Sequence, residues 1–352
     1  MKLVQKHFSQ QEWAALVSGF QDLSLLQTWE YGEAKAHTSP WQVVRMCFWE
    51  GDLLVGACQA MVRPLPLGLG GLVWINRAPL WRRLGEEGEP ALLAAMLVEL
   101  KRYWVEERRL YLRVALPLEQ REAEPDFSPP PGYQWVHRST GWASARLDLS
   151  LPTETLRRGL KPKWRNQLNK AERLGIFLEF GTGDQLFSRI LEGYQSMVQR
   201  KGYFTSLTPT LLASWQKFLS DNDKPWGALA THEGTLLGGI LFARYGSSIE
   251  ILAGSITEAG RTLHASNFLL WHVICKMQEL GYRWFDLGGL DPVTTPAGIF
   301  RHKSGLGGSP YHLVPELEAK NKGLVSRALR MFFCRFFSFF LHRWSYQEAP
   351  PM

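Results

Sequence analysis

Near its C-terminal end the chain reads GIFRHKSGLGG (298–308), which sets Lys303 close to glycines at 305, 307 and 308. A cation beside backbone that lacks Cβ atoms can meet a developing negative charge. The ammonium supplies charge, and open N–H groups supply hydrogen bonds. The plainer reading is a glycine turn with a surface lysine. A second chemistry-bearing stretch is RRGLKPKWRNQLNKAER (157–173), with seven Arg or Lys against one Glu. Another basic zone, 319–347, carries Lys320, Lys322, Arg327, Arg330, Arg335 and Arg343 and no acid. Because the whole chain is only +7, the remainder is mildly acidic. Two basic zones on such a body suggest anionic partners at defined places: phosphates, RNA or lipid headgroups. Two solvated helix faces are the alternative.

The elements that must position these groups contain an internal repeat. EGDLLVGACQA (50–60) returns as EGTLLGGILFA (233–243), with Glu, Gly, both leucines, the next Gly and the final Ala at the same offsets. One repeat at this distance points to two copies of a domain rather than a solenoid. A chain of 352 residues, 45% hydrophobic and 21% charged, holds two cores and argues against disorder. Copy one reads as a hairpin, WQVVRMCFWE and LLVGACQAMV, then the strand LGGLVWINRAPLW. A helix in ALLAAMLVELKRYWVEERR and the strand LYLRVALPL follow. Copy two repeats the order with GALATHE, TLLGGILFARY, SIEILAGS, the helix ASNFLLWHVICKMQEL stopped at Gly281, and YRWFDLGG. The proline-rich EPDFSPPPGYQW marks a boundary. The expected organisation is 1–145, 146–318 and a basic aromatic tail, 319–352. Hairpin, strand, helix, strand twice in register predicts an α/β chain with mixed sheets: two tandem GNAT-like acyltransferase domains.

Acyl-CoA enzymes of that fold carry an Arg/Gln-x-x-Gly-x-Gly/Ala turn before the helix, whose N–H groups hold the pyrophosphate. Here SITEAGRTLHASN places His264 and Ser266 where those glycines are expected, and INRAPLWRRLGEEGEP in copy one has no such pattern. Both copies lack the usual CoA cradle. The four cysteines are scattered without a CxxC pair, which argues against a disulfide frame or a thiolate zinc site. No signal peptide or apolar run of spanning length is evident, so a cytoplasmic location is expected.

Four stretches together resemble the Fem family of peptidoglycan aminoacyltransferases, the FemX, FemA and FemB type. They are LQTWEYGEAK (26–35), LKPKWRNQLNKAERLGI (160–176), SMVQRKGYF (196–204), and FDLGGLD (285–291) with GIFRHKSGLGG. The family's coiled-coil arm has no heptad counterpart here, so the chain resembles the armless, FemX-like form. The resemblance implies transfer of an amino acid from aminoacyl-tRNA, the co-substrate, to an amine of a precursor stem peptide. The first domain would meet the precursor and the second the aminoacyl end. An ester is already activated, so neither metal nor further cofactor is implied; positioning and charge stabilisation carry the rate.

In that setting Lys303 is the candidate catalytic cation, and Gly305 and Gly307 let backbone approach the ester. His302 stands where the family usually has phenylalanine, and an imidazole can stack on the terminal adenosine. Lys35 and Arg200 match positions implied to hold the diphosphate of a UDP-linked or lipid-linked muropeptide, with Tyr203 beside them. Lys163, Arg165 and Lys170 are candidate tRNA or phosphate contacts, with Trp164 available to stack. The strand end Arg77-Ala78-Pro79 lacks the acid that resemblance would place just after it; the nearest are Glu86 and Glu87, so no base is assigned. The tail LVSRALRMFFCRFFSFFLHRW (324–344) reads as an interfacial helix for peripheral contact with the inner leaflet, or as a final packed helix. A monomer is expected. A Fem-like enzyme with a non-peptidoglycan acceptor, or an acyl-CoA N-acyltransferase, are the competing readings.

Overall fold

A computed structural model describes residues 1–66, 70–123, 127–137, 139–202, 205–320 and 323. The chain divides into two units, one made of Met1–Trp142 with the stretch that begins at His312, the other containing Ala143–Tyr311. The first unit runs β1 (Lys2–Gln5), α1 (Gln10–Val17), α2 (Trp29–Thr38), β2 (Gln42–Glu50), β3 (Leu53–Pro64) and β4 (Gly71–Asn76). It continues with α3 (Pro90–Lys101), β5 (Tyr111–Ala115), α4 (Gln120–Ala123) and β6 (Tyr133–Trp135). The second unit begins with β7 (Ala143–Asp148), α5 (Thr153–Gly159), α6 (Pro162–Glu172), β8 (Phe177–Gly181), α7 (Asp184–Lys201) and α8 (Pro209–Phe218). Next come β9 (Trp226–His232), β10 (Thr235–Tyr245), β11 (Ser248–Ile256), α9 (Glu258–Thr262) and α10 (Ala265–Glu279). β12 (Trp284–Asp286), α11 (Ala297–Ser304) and β13 (Ser309–His312) complete it, before β14 (Leu317–Ala319).

The repeat falls on the two hairpins, β2–β3 and β9–β10. At the second turn Glu233 and Gly234 both take positive φ (+49° and +76°), which suits the right-handed twist of flanking strands. The two sheets share one plan. The first is ordered β1-β2-β3-β4-β5-β14-β6 and the second, read from its other edge, β8-β9-β10-β11-β12-β7-β13. In each, four antiparallel strands are followed by one parallel pair, β4 with β5 and β11 with β12.

The expected boundaries at 145 and 318 differ from this division. β7 starts at Ala143, and the chain has left the second unit by His312. β14 pairs with β5 and β6 because Leu317 and Ala319 are buried in the first core, so the second domain cannot extend to 318. The stretch 324–344 lies outside the described residues.

Each core forms where a helix lays its apolar stripe on strands. Leu93, Met96, Leu97 and Leu100 of α3 cover Phe48, Ile75, Leu112 and Val114. A separate cluster of Trp13, Val17, Phe20, Ala57 and Leu80 packs on the opposite face, since Ala57 and Cys58 are neighbours on one strand. In the second unit Leu269, Val273, Ile274 and Met277 of α10 meet Ala228, Ile240 and Phe285, with Trp164, Leu168 and Ala171 of α6 beside them. Gly281, expected to stop α10, takes φ +81° just past its end.

Asp22 ties the loop after α1 to the first unit's sheet. Its Oδ2 accepts from the Trp81 amide at 3.0 Å, while Oδ1 is buried without a hydrogen-bond partner among the described residues. Burial pushes this carboxyl up to about 7, against the pull of the Trp81 amide and Arg82. Between the ordinary carboxylate range and pH 7 the folded chain therefore holds a proton that the unfolded chain releases. Stability from this group falls as pH rises through that window. Asp22→Asn is expected to stabilise the protein at pH 8 by about 1 kcal/mol or more, and to make little difference near pH 4. Urea unfolding at the two pH values checks this; an equal effect at both would refute it.

Candidate active site

The second unit's candidate site begins where its parallel pair ends. Ser248, Ile249 and Glu250 lie opposite Trp284, Phe285 and Asp286; β12 then stops while β11 continues to Ile256. Glu250 and Asp286 are thus a buried cross-strand pair of acids. Asp286 is saturated by Ser144 Oγ at 2.6 Å, Tyr311 OH at 2.5 Å and the Gly288 amide at 2.8 Å. It anchors the strand end. Glu250 accepts from Tyr245 OH at 2.9 Å. Beyond Asp286 the chain turns through Gly288 and Gly289, both left-handed; a Cβ at Gly288 would sit 2.6 Å from the Ile251 carbonyl.

Lys303, near the C-terminus of α11, returns to this turn. Its ammonium donates to the carbonyl oxygens of Gly288 and Gly289, the latter at 3.3 Å. Burial lowers its pKa to about 8, and the nearby charges of Asp286 and Glu250 oppose that fall without cancelling it. His302 lies alongside, its Nε2 2.5 Å from Ser266 Oγ and its ring tilted over Trp164 at 5.9 Å between centroids. Burial first, and the Lys303 charge second, lower this imidazole to about 4, so it is neutral at pH 7.

The glycine turn and the basic run, distant in sequence, meet here. Lys161 N donates to the Gly305 carbonyl at 2.9 Å. A Cβ on Gly305 would lie 2.5 Å from Trp164 Cδ1, and one on Gly307 (φ +82°) 2.9 Å from the Gly159 carbonyl. Close packing against α5 and α6 is thus a reason for these glycines that the sequence did not disclose. The expectation that Trp164 is available to stack is corrected: it is 3% exposed, because its indole fills the space over Gly305. Lys163 and Lys170 are exposed on α6 and Arg165 is half-buried. Arg157 is spent on Glu172, with contacts of 2.5 and 2.9 Å.

Lys35 and Arg200 fall in different units. Arg200 is exposed at the end of α7, and Tyr203 lies outside the described residues. Lys35 borders an opening in the first unit lined by Tyr31, Trp41, Trp74 and Asn76 among others. The motif LQTWEYGEAK builds its wall. Gln27 donates to the carbonyls of Gln59 (3.2 Å) and Asn76 (2.9 Å) and accepts from Gln59 N (2.7 Å), bridging β3 and β4. Gln59 donates to Leu26 and Thr28 carbonyls and accepts from Arg45, which is paired with Glu33 at 2.9 Å. Glu86 and Glu87 are exposed in their loop. The acid that does reach the strand end after Arg77-Ala78-Pro79 is Asp22; 59 residues separate it from Trp81, and no sequence signal connects them.

Residues 158–304 match the acetyltransferase (GNAT) domain family. No curated protein sequence matches the chain. Among solved structures it is similar to FemX, at 14% identity and a TM-score of 0.77 over 95% of this chain and 100% of that one. It is also similar to a tandem GNAT protein from the clavulanic acid biosynthesis pathway (13%, TM-score 0.52, 91% and 98%). A third likeness is a conserved protein of unknown function from Bacteroides thetaiotaomicron (11%, TM-score 0.54, 91% and 100%). The fold and the matched domain define a class: an acyltransferase of tandem GNAT architecture. Within that class the whole-chain fold is FemX-like.

Gly32 offers a direct test of how this architecture holds the first unit's opening. A Cβ there would come within 2.3 Å of Gln59 Oε1 and 2.7 Å of its Nε2. Gly32→Ala is expected to cost about 1–3 kcal/mol by displacing an amide whose hydrogen bonds are all in use. Denaturant unfolding measures it; an unchanged midpoint would contradict the packing.

Proposed function

We propose that the protein moves an amino acid from aminoacyl-tRNA to an amine of a peptidoglycan precursor stem peptide. The observation that carries this reading is the seating of the Lys303 glycine turn on the start of basic helix α6, at the end of the parallel strand pair, in a chain of FemX-like fold. The N-terminus of α10 supports it against an acyl-CoA donor. Where a pyrophosphate cradle needs glycines, the chain has His264, at φ +54°, and Ser266, whose hydroxyl is engaged with His302.

The amine lone pair attacks the ester carbonyl, a C–N bond forms, and the C–O bond to the ribose breaks. The amine proton ends on the leaving ribose oxygen. Lys303 supplies positive charge to the intermediate oxyanion while two of its three donors hold the Gly288–Gly289 turn. Neutral His302 offers a flat ring to the terminal adenosine. Exposed Lys163 and Lys170 on α6 meet tRNA phosphates, through so few contacts that binding is weak and salt-sensitive. No metal or cofactor takes part in this scheme, and the protein acts as a monomer in the cytoplasm, peripherally at the membrane face through 324–344. Among the described residues no helix is long and apolar enough to cross a membrane.

The test is transfer of radiolabelled amino acids from a mixed pool of charged tRNA to UDP-linked or lipid-linked muropeptide. Label that appears on a precursor and is abolished by RNase is the expected result. Label obtained equally from aminoacyl-CoA would overturn it. Lys303→Ala is expected to lower kcat about 10²–10³-fold. Because the ammonium is lost as pH rises through about 8, kcat/KM is expected to fall above that pH. A profile of the Lys303→Arg variant that fell in the same range would assign the fall to another group.

A further inference from the structure

Ile249, Phe285 and Leu147 of the second unit's sheet belong to the core under α10, so their neighbours along each strand face the other way. On that opposite face one cross-strand row reads Glu250, Asp286 and Arg146. Two acids side by side, both buried, repel unless opposite charge is close. They are balanced differently. Asp286 has Arg146 opposite it on β7 and accepts from Ser144, Tyr311 and the Gly288 amide, so it is committed to the strand end. Glu250 accepts from Tyr245 OH, and its Cγ lies 3.7 Å from where a Cβ on Gly288 would sit. The Glu250 side chain thus rests against the turn whose carbonyls receive Lys303. Lys303 is faced by these two acids from the strands and by neutral His302 from its own helix. Both acids oppose the lowering of its pKa by burial.

We propose that Glu250 is a positioning residue for the transfer: seated against the Gly288–Gly289 turn, its charge keeps Lys303 an ammonium and holds it there, acting through Lys303 rather than on the substrate. The inference rests on reading Lys303 as the cation that meets the oxyanion. Asp286 adds charge of the same sign while anchoring the turn, so its removal would mix charge with fold. The Gly288 amide is bonded to Asp286, not to Glu250, so removing the second charge leaves that anchor in place.

Competitive acetylation of the full chain by acetic anhydride across pH, with the Lys303 peptide read by mass spectrometry, reports where this amine loses its proton. It needs neither donor nor acceptor. The wild-type midpoint is expected at about 8. Glu250→Gln is expected to lower it by about one pH unit, the low end of what a nearby opposite charge supplies, and Glu250→Asp to keep most of the wild-type value. Rate follows the ammonium fraction. For Glu250→Gln, kcat is expected to fall about fivefold at pH 8 and hardly at all at about pH 6, with KM unchanged. A Glu250→Gln midpoint equal to wild type would overturn the proposal, as would a loss of kcat equal at both pH values, the mark of a merely structural role. Should Glu250→Gln fail to fold, Glu250→Met, which fills similar space without a buried amide, carries the same comparison. A lowered midpoint without RNase-sensitive transfer defeats only the proposed reaction, and transfer with an unmoved midpoint defeats only this inference.

Discussion

A half-buried lysine held on two glycine carbonyls is the contact on which the second unit's site depends. Taking an ammonium out of water costs several kcal/mol unless charge and hydrogen bonds return it. Here the carbonyls of Gly288 and Gly289 and the acids Glu250 and Asp286 provide that return, yet burial still prevails and the pKa falls to about 8. The arrangement requires β11 and β12 to run side by side only as far as Glu250 and Asp286. It also requires a turn whose residues accept positive φ, and a short helix, α11, to bring Lys303 back. Asp286 can serve as anchor because Ser144, Tyr311 and Gly288 already satisfy it. Strand pairing, turn and helix are thus parts of one electrostatic solution.

A sixth strand sets how each of the two copies is completed. β14 enters the first sheet beside β5, and β7 occupies the corresponding position beside β12 in the second. Each position is next to the parallel pair, but β14 reaches the first pair from beyond the second unit, whereas β7 is the opening strand of its own unit. The first core does not close from one contiguous stretch: Leu317 and Ala319 belong to it although they follow the whole second unit, whereas the second core is drawn from 145–306 alone. A tandem repeat read only as consecutive segments therefore misplaces its boundaries.

That limit recurs in what the sequence disclosed. Hairpin, strand, helix and strand were legible in both copies because alternation, helical spacing and glycine stops are local signals, as at Glu233–Gly234 and Gly281. The three-residue strand β14 was not legible, since LEA has no pattern of its own and is defined by pairing. At the site, Lys303 and the glycines stood out by composition, but their partners did not. Trp164 looked like a free aromatic among cations, when the lack of a Cβ at Gly305 is what lets it be buried. Asp22 was invisible for the same reason: its environment comes from Trp81 and Arg82, brought together only by the fold. LQTWEYGEAK was legible as a motif but not as a scaffold, because Gln27 and Gln59 make their bonds to backbone rather than to each other's side chains.

The two candidate lysines differ in how their surroundings treat charge. In the second unit the cation is compensated, with carbonyls and acids around Lys303, so its charge is preorganised and needs no ligand to be stable. Such a group suits a charge that appears only during reaction, since a resident counter-ion set keeps it in place between turnovers. In the first unit Lys35 stands with Tyr31, Trp41 and Trp74 and has no ion-pair partner among the described residues, so burial lowers its pKa unopposed. The same residue type thus meets compensating groups in one copy and none among the described residues in the other, and duplication of one fold accommodates both because each environment is set by a few side chains rather than by the sheet.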